Sequence, residues 1–220
     1  MYATVAGPAV HLRWAKLIAV FAVLAAMLAI VQPAHAAAAN PAEAFVQQNV
    51  DRGYGILNSK VPDAERRAQF RQFMLMLTDP RRIGMFTLGQ YANGASKQDI
   101  DDFIQAFTDY AIAVYQSRLS KYKGQTLKVT GSQQRAPDDV IVTTDVVDPN
   151  NTNAPVIKAA FRVRKAQDGR EIVTDIQVEG VWLALSERSD FTGFLQQHGG
   201  SIPALTTDLK RQAKQLEEST

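Results

Sequence analysis

Apolar residues alternate with polar ones from Ile172 to Val178: Ile172, Thr174, Ile176 and Val178 share one phase, and after Glu179 and Gly180 the apolar positions become Val181, Leu183 and Leu185. Strand side chains alternate between two faces, so a one-residue change of phase exposes the buried set unless the backbone bends. Glycine accepts the dihedrals such a bend needs. The pattern predicts a strand that turns a corner at Gly180, with Trp182 just beyond it.

Upstream the period is helical. Phe45, Val46, Asn49, Val50 and Tyr54 trace one side of a helix over 41–57, and Phe70, Phe73, Met74 and Leu77 do so over about 62–78. Asp79-Pro80 breaks the second helix. Residues 81–95 read as short and irregular, carrying Ile83, Met85, Phe86, Leu88 and Tyr91 between glycines. A helix of about 25 residues starts at Ser96, with Asp99 three residues on as an acidic capping partner. Its stripe is Ile100, Phe103, Ile104, Phe107, Ala111, Val114, Tyr115 and Leu119.

Gly124 ends that helix, and strands follow at about 125–130, 140–147 and 157–164, with 172–178 as the fourth. In the third, Ile157, Ala159, Phe161 and Val163 face one way, and Lys158, Arg162 and Arg164 the other. Lys158 and Arg162 are expected to pair with Asp145 or Asp175 across the strands. Segments 149–153 and 167–169 are hairpin connections, and helices are expected over 187–198 and 201–217. Helices, then an antiparallel meander, then helices predict an α+β fold: a curved antiparallel sheet of about four strands, with the helices packed on its concave face.

The first 36 residues stand apart. Arg13 and Lys16 precede an apolar run over 17–31, and Ala34-His35-Ala36 follows. This is the layout of a cleaved secretory signal peptide, and the 15-residue run is short of the ~20 that span a bilayer. The expected mature chain is one domain over 37–220. Without Arg13 and Lys16, the 24 basic residues become 22, against 22 acidic. That neutral balance gives no support for a nucleic-acid partner. There is no cysteine, so disulfides, thiol catalysis and thiolate metal sites are out.

Chemistry-bearing motifs are sparse. His11 and His35 lie in the leader, which leaves His198 at a predicted helix C-terminus, where its charge suits the helix dipole. A lone histidine predicts no metal site. Gly53-Tyr54-Gly55 lacks the third glycine and the strand-to-helix turn of a nucleotide loop. Asp101 and Asp102 diverge by about 100° on their helix. No G-x-S-x-G elbow occurs. The expectation is a binding protein without cofactor, metal or catalytic residues. Its rivals are an interaction module with a filled core, or a small hydrolase or isomerase using Asp175 or Glu179 as base.

The run Val178-Glu179-Gly180-Val181-Trp182-Leu183-Ala184, then Arg188-Ser189-Asp190-Phe191, then Gly199-Gly200 and a closing leucine-rich helix resembles the MlaC/toluene-tolerance family. Thr87-Leu88-Gly89-Gln90-Tyr91, the long helix from Ser96 and Lys121-Tyr122-Lys123-Gly124 agree with it, and the resemblance spans about 41–215. Ala92 stands where the family has Trp, Arg170-Glu171-Ile172 where it has Trp-Lys-Val, and Trp182 where it has Ser. These departures resemble the family's hopanoid-associated branch, HpnM.

The resemblance implies a periplasmic carrier that holds a phospholipid or hopanoid as cargo. Its implied partners are an inner-membrane lipid transporter and an outer-membrane lipoprotein/porin complex, with no nucleic acid. Ahead of the sheet, Phe73, Leu77, Ile83, Phe86, Leu88, Tyr91, Phe103 and Phe107 are the expected lipid-lining residues. From the sheet they are Val142, Phe161, Val163, Ile176, Val178 and Trp182, the last shaping one end of the cavity.

Overall fold

The computed structural model describes residues 40–119, 124–151 and 153–218. The leader expected at 1–36 lies outside the described residues, as do Lys121, Tyr122 and Lys123. Helix α1 spans Pro41–Leu57, α2 Asp63–Leu77, α3 Pro80–Leu88 and α4 Lys97–Leu119, with a 3₁₀ turn at Gly89–Ala92. Strands β1 (Thr126–Ala136), β2 (Asp139–Val147), β3 (Ile157–Lys165), β4 (Glu171–Val178) and β5 (Val181–Trp182) follow. Helices α5 (Leu183–Gln197) and α6 (Ile202–Glu218) close the chain. The five strands form an open antiparallel meander in the order β1-β2-β3-β4-β5. This is the α+β class that the patterning predicts, with one additional two-residue strand.

Caps set most helix starts. Asn40 and Asp79 accept hydrogen bonds from the amides of Ala42 and Arg82, and each precedes a proline at the first helical position. Ser96 Oγ accepts from the amide of Asp99 at 3.0 Å. The region expected to be irregular, 81–95, is helical through Leu88, with Gly84 buried inside α3. A Cβ at Gly84 would stand 2.6 Å from Ile104 Cδ1 and 3.2 Å from Phe107 Cδ1. The glycine that weakens α3 locally therefore lets it lie close against α4.

The sheet register shifts in three places, twice along β1, after Val129 and after Gln134, and once along β4. β1 runs six residues past Thr130, because Thr130 is extra in the β1–β2 register and Gly131, at φ 153°, carries the strand through the bulge. In β4, Arg162 pairs with Asp175 but Val163 pairs with Val173, so Thr174 is the extra residue. The phase change starts there, ahead of Gly180. Val173, Ile176 and Val178 stand opposite Val163, Phe161 and Ala159, while Ile172 stands opposite Arg164. The corner at Glu179-Gly180 is a two-residue hairpin with φ 48° and 84°, and it pairs Val178 with Val181. Positive φ at both positions is the geometry of a tight hairpin matched to strand twist.

Three apolar clusters hold these elements. Helix α1 places Ala42 and Val46 against Val140, Val142 and Val163, with Phe161 packed beside them. Phe70 and Phe73 of α2 meet Ile112 of α4. The largest cluster joins α3 to α6: Leu88, Ile100, Phe103, Phe107, Phe191, Leu195, Ile202, Leu205 and Leu209. On the opposite sheet face Lys158 pairs with Asp145 at 2.7 Å. Arg162 does not take Asp175, its partner in register. It donates diagonally to both oxygens of buried Asp139, at 3.0 and 2.6 Å. That bidentate pairing pulls the Asp139 carboxyl below its ordinary range.

Candidate functional site

A cavity opens beside the outer edge of β4, which β5 covers only at its far end and Thr78 touches through a single parallel bridge to Val173. The cavity has a volume of about 120 Å³ and opens to solvent at its mouth. Helix α2 contributes Met74 and Leu75, followed by Thr78; α3 contributes Pro80, Ile83 and Thr87. Residues Phe107, Thr108, Tyr110, Ala111, Ile112, Val114 and Tyr115 form the wall on α4. The sheet gives Val173, Thr174, Asp175 and Ile176, and α5 gives Leu183, Ala184 and Glu187. The Leu183, Ala184 and Glu187 spacing puts these three on one helical face.

Asp175 organises the polar side of this wall. Its Oδ1 accepts from the Ile176 amide at 2.8 Å and from the Ala184 amide at 2.9 Å, so it caps the first turn of α5 from across the strand. Burial raises its pKa above the usual carboxylate value, against the lowering effect of the two amides and of Arg162. The proton therefore binds the folded chain more tightly than the unfolded one. Stability from this group is fully present below its unfolded pKa of 3.8 and is lost as the pH rises through the higher folded value. Asp175→Asn keeps an acceptor for both amides and removes the buried charge. We expect its melting temperature to exceed the parent's near neutral pH, and the gap to close toward pH 3.5 in a melting series. A variant less stable at pH 7 would show that the ionised carboxylate is favourable there.

Of the residues expected to line a ligand, Ile83, Phe107 and Ile176 meet at this cavity. Phe73 and Leu77 pack in the α2–α4 cluster together with Met74 and Ile112. Leu88 and Phe103 are fully buried in the helical cluster, and Tyr91 packs against it. Val142, Phe161 and Val163 lie under α1. Phe86 is exposed, with the Arg188 guanidinium 5.0 Å from its ring centre. Val178 and Trp182 stand at the β4–β5 hairpin; Trp182 is half-buried and precedes α5. The lining threonines, Asp175 and Glu187 were not among the expected residues, since isolated polar positions carry no periodic signal. Ala111, Val114 and Tyr115 lay in the α4 stripe, which marks a face and not the empty space beside it.

His198 caps the end of α5: its Nδ1 lies 2.8 Å from Phe194 O, and its ring stacks on Phe194 at 3.9 Å. Glu179 sits on the exposed hairpin and accepts from the Lys158 amide. Among the described residues no group of three or more His, Asp or Glu side chains could hold a metal ion. Nor is any described helix long and apolar enough to cross a membrane.

An α+β scaffold with an apolar cavity between a strand edge and a helical bundle defines a ligand-binding protein. The chain belongs to the MlaC family: the model of that family, described as MlaC protein, matches residues 47–211. A solved structure from Ralstonia solanacearum, described as a phospholipid-binding protein in complex with a phospholipid, shares the fold. It superposes with a TM-score of 0.66 at 22% identity, covering 80% of this chain and 98% of its own.

Proposed function

We propose that this chain is a lipid carrier of the periplasm. It is exported by a signal peptide at 1–36 and works as a single domain from 37 to 220. The observation that carries the proposal is the apolar cavity at the β4 edge in a chain of the MlaC family. The Ralstonia structure, whose description names a bound phospholipid, supports a phospholipid as cargo. The sequence features shared with the hopanoid-associated branch keep a polycyclic triterpenoid as the second candidate. In this reading the tails lie against Ile83, Phe107, Ala111 and Ile176, and the chain passes its cargo between an inner-membrane transporter and an outer-membrane lipoprotein/porin complex.

The physical need for such a carrier is large. Each buried CH₂ is worth about 0.8 kcal/mol, so a lipid with roughly 30 methylenes faces a barrier on the order of 25 kcal/mol when it enters water bare. A cavity that takes over the solvation of the tails lowers this barrier without any covalent step. The test is native purification of the full-length product from a periplasmic extract, solvent extraction and mass spectrometry. We expect about one lipid per protein and a chain beginning near Ala37. Protein without lipid would overturn the carrier reading, and protein found only in membranes with 1–36 attached would overturn the export reading.

A further inference from the structure

One guanidinium stands beside the cavity with its donors unused. Thr87 of α3 and Glu187 of α5 line the cavity. The residues next to them in sequence, Phe86 and Arg188, meet each other, with Arg188 Cζ 5.0 Å from the centre of the Phe86 ring. Gly89 leaves room for the same group: at its φ of 57°, a Cβ there would stand 3.2 Å from Arg188 Nε and 3.3 Å from Nη2. Arg188 is thus held, half-buried, against an aromatic face and a bare backbone. Among the described residues no carboxylate or carbonyl takes its N–H groups. Other arginines are committed: Arg162 to Asp139, Arg71 to Asp109 and Arg81 to Asp101. Of the acids nearest in sequence, Glu187 is part of the cavity wall, and Asp190 leaves α5 about 160° round from Arg188. Arg82, one turn before Phe86, adds an exposed cation on that side of α3. Phe86 and Leu185 are 42% and 57% exposed, so this slot is open to solvent.

A planar guanidinium with five N–H donors matches the paired oxygens of a phosphate, and one already fixed in place loses less freedom when it binds. A lipid with its tails in the cavity brings its head group out to the rim, where this guanidinium waits. We infer that Arg188 takes the phosphate of the cargo's head group, and that Phe86 is the positioning residue that holds its plane. The assignment favours a phosphate-bearing lipid over a neutral triterpenoid as cargo. The inference rests on this cavity being the lipid site and adds a head-group contact to it.

Phosphatidic acid and diacylglycerol test it, since with identical acyl chains they differ by the phosphate alone. Delipidated protein is incubated with phosphatidylcholine vesicles that hold equal small amounts of both, separated, and its bound lipid quantified by mass spectrometry. We expect phosphatidic acid to load about tenfold better, the effect of one charge-assisted hydrogen bond at the low end of its range. Arg188→Gln should bring the ratio within about twofold of parity while still loading diacylglycerol, which shows that the cavity is intact. Arg188→Lys keeps the charge without the planar fork and should fall between the two. Phe86→Leu removes the stacking face and should shrink the ratio about threefold. Cosedimentation with phosphatidylglycerol vesicles separates the source of the phosphate. If Arg188→Gln weakens cosedimentation and leaves the lipid ratio unchanged, the phosphate belongs to a bilayer surface and the inference is overturned. A parent ratio near one also overturns it, while the carrier reading stands. Loss of both lipids in Arg188→Gln with a collapsed melting temperature would make the Phe86–Arg188 stack a purely structural contact and overturn the role of Arg188. Failure of the parent to load any lipid overturns the carrier reading itself.

Discussion

Ala111→Trp should empty the protein of lipid while leaving its fold in place. Ala111 lies one turn beyond Phe107 on α4, is only partly buried, and faces the cavity beside Tyr110 and Tyr115. An indole brings about 150–250 Å² of apolar surface, and here it would occupy space meant for the ligand instead of displacing packed neighbours. Because the site is open, the overpacking cost of about 1–3 kcal/mol that a filled core would exact is not expected. Bound lipid per protein should drop at least tenfold by mass spectrometry. Melting temperatures have to be compared on delipidated samples, since a ligand that binds only the folded state raises apparent stability by mass action. Delipidated variant and parent should then melt within a few degrees of each other. Undiminished lipid in a normally folded variant would place the cargo elsewhere. A large loss of stability instead would mean that Ala111 belongs to a packed core.

The helices and the central strands were legible in the chain because their apolar residues repeat at 3.6 and 2.0 over long stretches. α4 and the strand over 140–147 needed only that periodicity, and the Ser96 cap and the break at Pro80 only their local residue types. The misread elements share a cause: a local rule yielding to tertiary contact. Gly84 argues against a helix by propensity, yet α3 continues through it because a side chain there would strike Ile104. Gly131 looks like a strand end and is a bulge. The even-numbered alternation in β4 hides a phase change at Thr174, because Val173 on the other parity pairs with Val163. Arg162 could be assigned to a carboxylate across the sheet, but the choice of Asp139 over Asp175 depends on diagonal reach that a register does not specify.

The cavity was legible only as apolar faces. Phe107 and Phe103 sit one turn apart on the same stripe, yet Phe107 reaches the cavity while Phe103 is enclosed on all sides. Volume is set by how α2, α3 and α5 lean on α4 and on the edge of β4, which no single element encodes. The polar wall was invisible for a related reason. Asp175 matters because the hairpin at Glu179-Gly180 brings the start of α5 back over β4, so that its carboxylate meets the Ala184 amide. The corner thus has a use beyond shielding a sheet edge: it brings a helix N-terminus and a buried acid together on the wall of the cavity.

Phe103→Ala should be among the most damaging substitutions outside the cavity. Phe103 is fully buried between α4, α5 and α6. Its ring lies 5.9 Å from that of Phe107 in a near-parallel stack and 6.1 Å from that of Phe191 at 89°. Phe191 meets Phe107 in the same edge-on way at 6.2 Å, so the three rings form a closed set. Removing one member deletes two favourable ring contacts, each worth about 0.5–1.5 kcal/mol beyond area, and leaves a void that rigid neighbours fill only in part. Phenylalanine-to-alanine changes of this kind cost about 3–5 kcal/mol. For a folded unit of this size each kcal/mol lowers the melting temperature by roughly 2–4 °C, so a fall on the order of 10 °C is expected in calorimetry of delipidated protein. The protein that remains folded should still load lipid, because Phe103 does not line the cavity. Phe103→Leu, which keeps most of the volume, should recover more than half of the loss. A fall of under 3 °C would mean that the cluster collapses around the void and that the three rings do not act as one unit. Loss of lipid loading with little change in melting would instead put Phe103 within reach of the cargo, extending the cavity past Phe107 toward α6.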